Sequence, residues 1–310
     1  MVEEFKIKFR GVRGSYTIAD KNYMKYGGNT SCVEVRAGGH LIILDAGSGL
    51  IKVGDELVQN HITSSMEKQK RKPIRATVLL SHIHQDHIQG FTFFKPLHIP
   101  STVINVFGNS ANNLATELDG LLFNKTFPLS MGDIAGKLDI KTLNKQEGLI
   151  FEDEKSPVIR RFENDEESTP KGNQVVVTCY RSSAHPQEGV LIYKIAYKDK
   201  TIVYATDVEG YYGGDKRLES FAKGCNILIH DTQYTTEDYL DSFSSKQGYG
   251  HSTFEMAHEM QNHTGAQKLL CFHYDPSYDD DKLDSIAKQY KPYGDKIQLA
   301  YEGLEIDLMQ

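Results

Sequence analysis

The stretch Ser81-His82-Ile83-His84-Gln85-Asp86-His87 places four strong metal-ligand side chains within six residues. It follows Ala76-Thr77-Val78-Leu79-Leu80, a short β-branched and leucine-rich run that reads as a buried strand. The ligands therefore fall on the loop leaving the strand's C-terminal end. A loop suits them, because a strand or helix would point neighbouring side chains apart. Crowded imidazoles repel one another when protonated and lie unpaired when neutral, and a divalent cation resolves both problems. The competing reading is a polar surface loop that merely holds three histidines.

Working outward, the same strand-then-ligand pattern recurs. Leu41 to Leu44 runs into Asp45-Ala46-Gly47, Gln174 to Tyr180 leads to Ala184-His185-Pro186, and Thr201 to Ala205 leads to Thr206-Asp207. Asn226 to Ile229 ends at His230-Asp231, and Lys268 to Phe272 ends at His273. Phe5, Ile7 and Phe9 alternate with charged residues as a half-buried opening strand, and Lys137 to Leu143 alternates likewise. Ala111 to Phe123 carries its apolar residues at helical spacing, and a further helix is expected over Asp280 to Tyr290. Ser252-Thr253-Phe254-Glu255 reads as a capping box with Ser252 as N-cap, which sets His251 just outside a helix start. A helix N-terminus favours an anionic phosphate, and a histidine there could protonate a departing alkoxide.

At 310 residues, 39% hydrophobic and 25% charged, the chain has enough apolar content for one large α/β domain over 1–310. Its one shift in composition is an acidic insertion at 145–173, with Glu152-Asp153-Glu154 and Asp165-Glu166-Glu167, expected as a solvated loop or hairpin. The net charge of -7 argues against a non-specific grip on long nucleic acid, whereas a bound metal would reverse the local sign for a small anion. Cys32, Cys179, Cys225 and Cys271 form no Cys-x-x-Cys pair and suggest no disulfide scaffold. No apolar run approaches membrane-spanning length and no signal-like start is present, so a cytoplasmic protein is expected.

The His-x-His-x-Asp-His spacing resembles the signature of the metallo-β-lactamase superfamily. Phe9-x-Gly-Val-Arg-Gly-Ser, Tyr26-Gly-Gly-Asn-Thr, Ala184-His185-Pro186, Ala205-Thr206-Asp207, Gly250-His251-Ser-Thr and Phe272-His273 follow in that family's order. The combination looks like its phosphodiesterase-type branch, which includes tRNA 3′-processing endonucleases and cyclic-phosphodiester hydrolases. The resemblance implies a four-layer αββα sandwich and two metal ions per chain, zinc or manganese, with iron also compatible with such ligands. Carried over, His82, His84 and His185 would hold one ion and Asp86, His87 and His273 the other, with Asp207 bridging. His251, Asp86 and Asp231 would serve catalysis, Asp231 by orienting His251, while Asp45 would brace the metal loop.

Two metals about 3.5–4 Å apart can share a hydroxide of lowered pKa and clamp two oxygens of a phosphodiester. The expected activity is thus a binuclear phosphodiesterase acting on a small or cyclic phosphodiester, without a membrane partner and compatible with a homodimer. A tRNA 3′-processing endoribonuclease is one alternative, against which the acidic insertion and net charge count. A non-hydrolytic di-iron redox or oxygen sensor is another, disfavoured because such relatives usually carry glutamate where this chain has His84. Arg13, Asn29 and Thr30 fit either a pocket lining or a turn.

Overall fold

The computed structural model describes residues 3–110, 112–125, 127–153, 155–163, 167–211 and 213–310. Strands β1 (Phe5–Gly11), β2 (Cys32–Ala37), β3 (His40–Leu44), β4 (Arg75–Leu79), β5 (Val103–Gly108) and β6 (Lys137–Thr142) build the first sheet. The second contains β7 (Glu147–Phe151), β8 (Val158–Arg161), β9 (Val175–Ser182), β10 (Val190–Tyr197), β11 (Lys200–Ala205), β12 (Ile227–Asp231), β13 (Lys268–Phe272) and β14 (Ile297–Leu299). The last strand, β15 (Glu305–Asp307), returns to pair with β1 in the first sheet. The first sheet runs β15-β1-β2-β3-β4-β5-β6 and the second β14-β13-β12-β11-β10-β9-β7-β8.

Strand sequences that are apolar on both faces are what a sheet covered on both sides requires. In β3, Ile42 and Leu44 join the core between the sheets, while Leu41 and Ile43 face the other way. That outer face is covered by Leu50 and Val53 of α1 (Gly49–Thr63) and by Leu114, Leu118 and Leu122 of α3 (Leu114–Leu122). Beyond the second sheet lie α4 (Lys216–Phe221), α6 (Phe254–Thr264) and α7 (Asp280–Tyr290), which bring Leu218, Phe254, Ala257, Met260, Leu283 and Ile286 into the main core. The expected four-layer sandwich is therefore observed. Short helical turns α2 (Gln85–Ile88) and α5 (Thr236–Tyr239) sit in its loops.

Direction of the strands collects the site. β3, β4, β5 and β6 are mutually parallel, as are β11, β12, β13 and β14, so their carboxyl ends share one rim. β9 pairs antiparallel with β10, and β10 antiparallel with β11, which brings the end of β9 to the same rim.

Several local expectations need correction. The metal stretch is not all loop: His84 caps the turn α2, so Asp86 and His87 lie on helical backbone. Ser252 is not the N-cap of α6. Thr253 is, its side chain accepting from Met256 N, while Ser252 Oγ donates to Val208 O at 2.6 Å. The helix expected from Ala111 begins at Leu114, capped by Asn113, and Ala111 itself lies outside the described residues. The insertion does contain a hairpin, β7 and β8, as expected, but rather than standing in solvent it joins the second sheet through β9. Glu154, Asp165 and Glu166 lie outside the described residues.

Candidate metal centre

Two groups of ligand atoms meet at the rim. Those of His82, His84 and His185 lie within 4.8 Å of one another, as do those of Asp86, His87, Asp207 and His273. Asp207 stands between them. Its Oδ1 lies 3.6 Å from His82 Nε2 and 4.0 Å from His185 Nε2, and its Oδ2 lies 3.3 Å from the Nε2 atoms of both His87 and His273. The structure thus brings together all seven residues expected as ligands.

Whether these residues suit cations can be judged from the backs of the rings. His87 Nδ1 lies 2.8 Å from Asp45 Oδ2, His185 Nδ1 lies 3.1 Å from Gly250 O, and His82 Nδ1 lies 3.0 Å from Ser81 Oγ. Protons assigned to those Nδ1 atoms by this network leave the Nε2 lone pairs of all three rings facing inward. His82 is only 6% exposed, and its Nε2 has no hydrogen-bond partner among the described residues. Inward lone pairs crowd further where His84 Nδ1 approaches His185 Nε2 at 3.1 Å and His87 Nε2 approaches His273 Nε2 at 3.2 Å. Nitrogen and carboxylate donors converging in this way, without sulfur, fit divalent first-row ions.

The electrostatics point the same way. Burial alone would strip the proton from His87, yet Asp207, Asp86 and Asp45 hold its ring well above the usual range. Burial raises and His273, His87 and His82 lower the Asp207 carboxyl, which ends well below its usual value. His82 is driven well below its usual value, first by burial and then by His87. The carboxylates therefore demand positive charge in a buried space.

Asp45 does not turn into the ligand cluster. Fully buried, it accepts from Ser81 N at 2.7 Å, Ser81 Oγ at 2.8 Å and Tyr204 OH at 2.7 Å besides holding His87. This is the bracing role expected of it.

Asp231 and His251 form a second buried pair at the edge of the ligands. His251 Nδ1 lies 2.8 Å from Asp231 Oδ2, and Asp231 also accepts the backbone N–H groups of Asp207, Gln233 and Ser252 at 3.0, 3.1 and 3.0 Å. Burial would lower the His251 pKa, but the charge and hydrogen bond of Asp231 prevail and raise it to about 9. The His251 ring stacks on His273, with centroids 5.1 Å apart.

Glycines explain two of the motifs. A side chain at Gly14 would meet the His273 ring at 2.5 Å, and one at Gly250, where φ is +88°, would collide with the His185 ring. Arg13 is not a pocket residue. It is fully buried and donates to the carbonyls of Gly27 and Tyr278, tying the first loop to the last. Asn29 is held by Glu302, and Thr30 bonds Ser48 and Gln89. Sequence reasoning missed Ser15, whose N–H donates to Asp86 Oδ2 at 2.8 Å, and Tyr204. A backbone donor leaves no trace in residue type, and a tyrosine inside an apolar strand looks like core.

Comparison with known proteins agrees with this architecture. The model of the metallo-beta-lactamase superfamily matches residues 26–108, and that of the beta-lactamase superfamily domain matches 133–274. A ribonuclease Z of Picrophilus torridus is 22% identical over 99% of this chain and 97% of its own length. Among solved structures, a diphosphatase from the PhnP family superposes with a TM-score of 0.63 at 13% identity, covering 97% of each chain. Human tRNase Z, short form, gives 0.58 at 18% identity over 97% of this chain and 98% of its own. With the matched family models at both halves and the His/Asp cluster at the shared rim, the chain belongs to the metallo-β-lactamase superfamily and is a metal-dependent hydrolase.

Proposed function

We propose that this hydrolase cleaves a small phosphodiester using two divalent ions, zinc or manganese, with His82, His84 and His185 at one and Asp86, His87 and His273 at the other, and Asp207 shared. The observation that carries the reading is the His251–Asp231 pair set beside the ligand cluster. When bound, the ions would supply Lewis acidity to the phosphoryl oxygens and lower the pKa of the attacking water. The chain's own residues do the rest. Asp231, fixed by three backbone donors, holds His251 Nδ1 and leaves Nε2 as the atom that exchanges a proton. A pKa raised to about 9 keeps that proton in place at neutral pH, ready for the departing alkoxide. Asp231 is a positioning residue, and His251 is the general acid. A departing alkoxide gives such an acid a task, whereas the thiolate of a thioester leaves readily without one.

A tRNA precursor is the second reading, and the ribonuclease Z relatives favour it. The net charge of -7 and the acidic insertion weigh towards the small substrate, in a cytoplasmic setting without a membrane partner. No helix among the described residues is long and apolar enough to cross a membrane. The test compares kcat/KM for bis(p-nitrophenyl) phosphate, nitrocefin, a glutathione thioester and a tRNA precursor. Phosphodiester preference is expected. Turnover of only the lactam or thioester overturns the reading, and preference for the precursor by orders of magnitude replaces the small substrate with RNA.

A further inference from the structure

Outside His251 the rim opens into a cleft of about 490 Å³, lined by Ser15, Tyr16, Gln233, Tyr234, Lys246, Tyr249 and Asp275 among others. His251 lines its inner wall, so the cleft adjoins the group that would protonate the departing alcohol. We propose that this cleft seats the departing alcohol and selects a neutral nucleoside, with Tyr16, Tyr249 and Gln233 as its specificity-determining residues. The inference rests on the phosphodiesterase reading and names the leaving half of its substrate.

Three features of the cleft carry the proposal. Tyr16 and Tyr249 keep 60% and 53% of their surface exposed, and both line this one cleft. Rings left open beside a phosphodiester-cleaving centre offer stacking faces, and any nucleobase presents a matching one. Tyr234 closes the inner end, edge-on to His251 at 6.0 Å between centroids.

Gln233 supplies the polar mark. It is 3% exposed, and its Nε2 donates to Tyr234 OH at 3.1 Å and approaches Ser15 Oγ at 3.4 Å. Its Oε1 has no hydrogen-bond partner among the described residues. A buried amide oxygen without a partner is costly unless a ligand supplies the donor, and a nucleoside carries N–H and O–H groups to do so.

Charge decides between a nucleoside and a nucleotide. Lys246, poised over Tyr249 at 5.7 Å, and Asp275 are opposite charges within one lining, and the protonated His251 is offset by its partner Asp231, so the cleft offers no net attraction to a second phosphate. The cleft is also within the size range of small-ligand sites, about 300–1,000 Å³.

The 3′- and 5′-methyl phosphates of thymidine test this within one molecule. Water adds to phosphorus and one P–O bond breaks, releasing either thymidine plus methyl phosphate or thymidine monophosphate plus methanol. The holoenzyme should expel thymidine from at least one isomer by at least about fivefold, and Tyr16→Ala and Tyr249→Ala should each reduce that ratio by about five- to a hundredfold, as base stacking implies. Both rings are exposed, so neither variant should disturb folding, which thermal melting checks. Preferential release of methanol from both isomers refutes the proposal.

A binding arm separates this failure from failure of the parent reading. Calorimetry should show thymidine binding to the holoenzyme and weaker binding to Tyr249→Ala and Gln233→Leu. Absence of binding refutes the nucleoside site whatever the enzyme hydrolyses. Binding without hydrolysis of any diester keeps the nucleoside site and rejects the phosphodiesterase.

Discussion

Replacing Asp45 with asparagine should remove metal from the site without touching a ligand. Asp45 has φ of +61°, a conformation that asparagine also tolerates, so the change isolates hydrogen bonding from backbone strain. The carboxylate accepts from four donors, and an amide can keep one of them, Ser81 N. Its NH2 group then faces Ser81 Oγ, Tyr204 OH and His87 Nδ1. The hydroxyls can rotate to accept, but His87 can accept only by moving its proton to Nε2. That proton would sit among Asp86, Asp207 and His273, where the lone pair is needed. Loss of such a back-side partner lowers metal affinity about 10–100-fold, equivalent to about 1.4–2.8 kcal/mol. Two weakened charge-assisted bonds should also cost about 3 kcal/mol of folding stability. Zinc titration of metal-free Asp45→Asn, with thermal melts alongside, reads both effects. Wild-type affinity for two ions would refute the tautomer argument.

His251→Ala should slow a diester with an alkoxide leaving group about 10²–10⁴-fold, cost much less on p-nitrophenyl esters, and leave both metals bound. Equal losses on both substrates would count against proton donation. The protonated ring is the working form and its pKa is raised, so alkoxide-releasing activity should persist through neutral pH and decline as pH climbs towards about 9. Bound cations draw the midpoint lower, and His251→Ala should flatten that limb of the profile. Asp207→Ala should lose metal content and hydrolysis together, measured by elemental analysis and turnover, because both groups of ligands face its carboxylate.

Most of the sandwich was legible because its strands are short apolar runs with a ligand or turn residue directly after them, and the same boundaries located His185, Asp207 and His273. Composition could not reveal that Arg10, only 5% exposed, is clamped by Glu34 and Glu56 to lock β1, β2 and α1 together. Each of the three residues reads as a surface charge in sequence, and only their meeting across 24 and 46 positions changes that. The cap of α6 was misplaced by one residue because Ser252 and Thr253 are equally good caps locally. Val208 decides between them by claiming the serine hydroxyl.

The least legible feature is the backbone that aims the ligands. Asp45, Asp207 and His273 all have positive φ, at +61°, +53° and +68°, and each stands just beyond the end of a parallel strand. Such a conformation costs a non-glycine residue about 1–2 kcal/mol, and glycine would relieve it. Glycine has no side chain to offer a metal or a brace, so these positions keep the strain and the function together. A left-handed residue turns the chain sharply as it leaves the sheet, and the turn holds the side chain over the rim where strands from both sheets converge. The strand order explains why the ligands meet, while the turns at Asp207 and His273 aim two of them inward and the turn at Asp45 aims their brace.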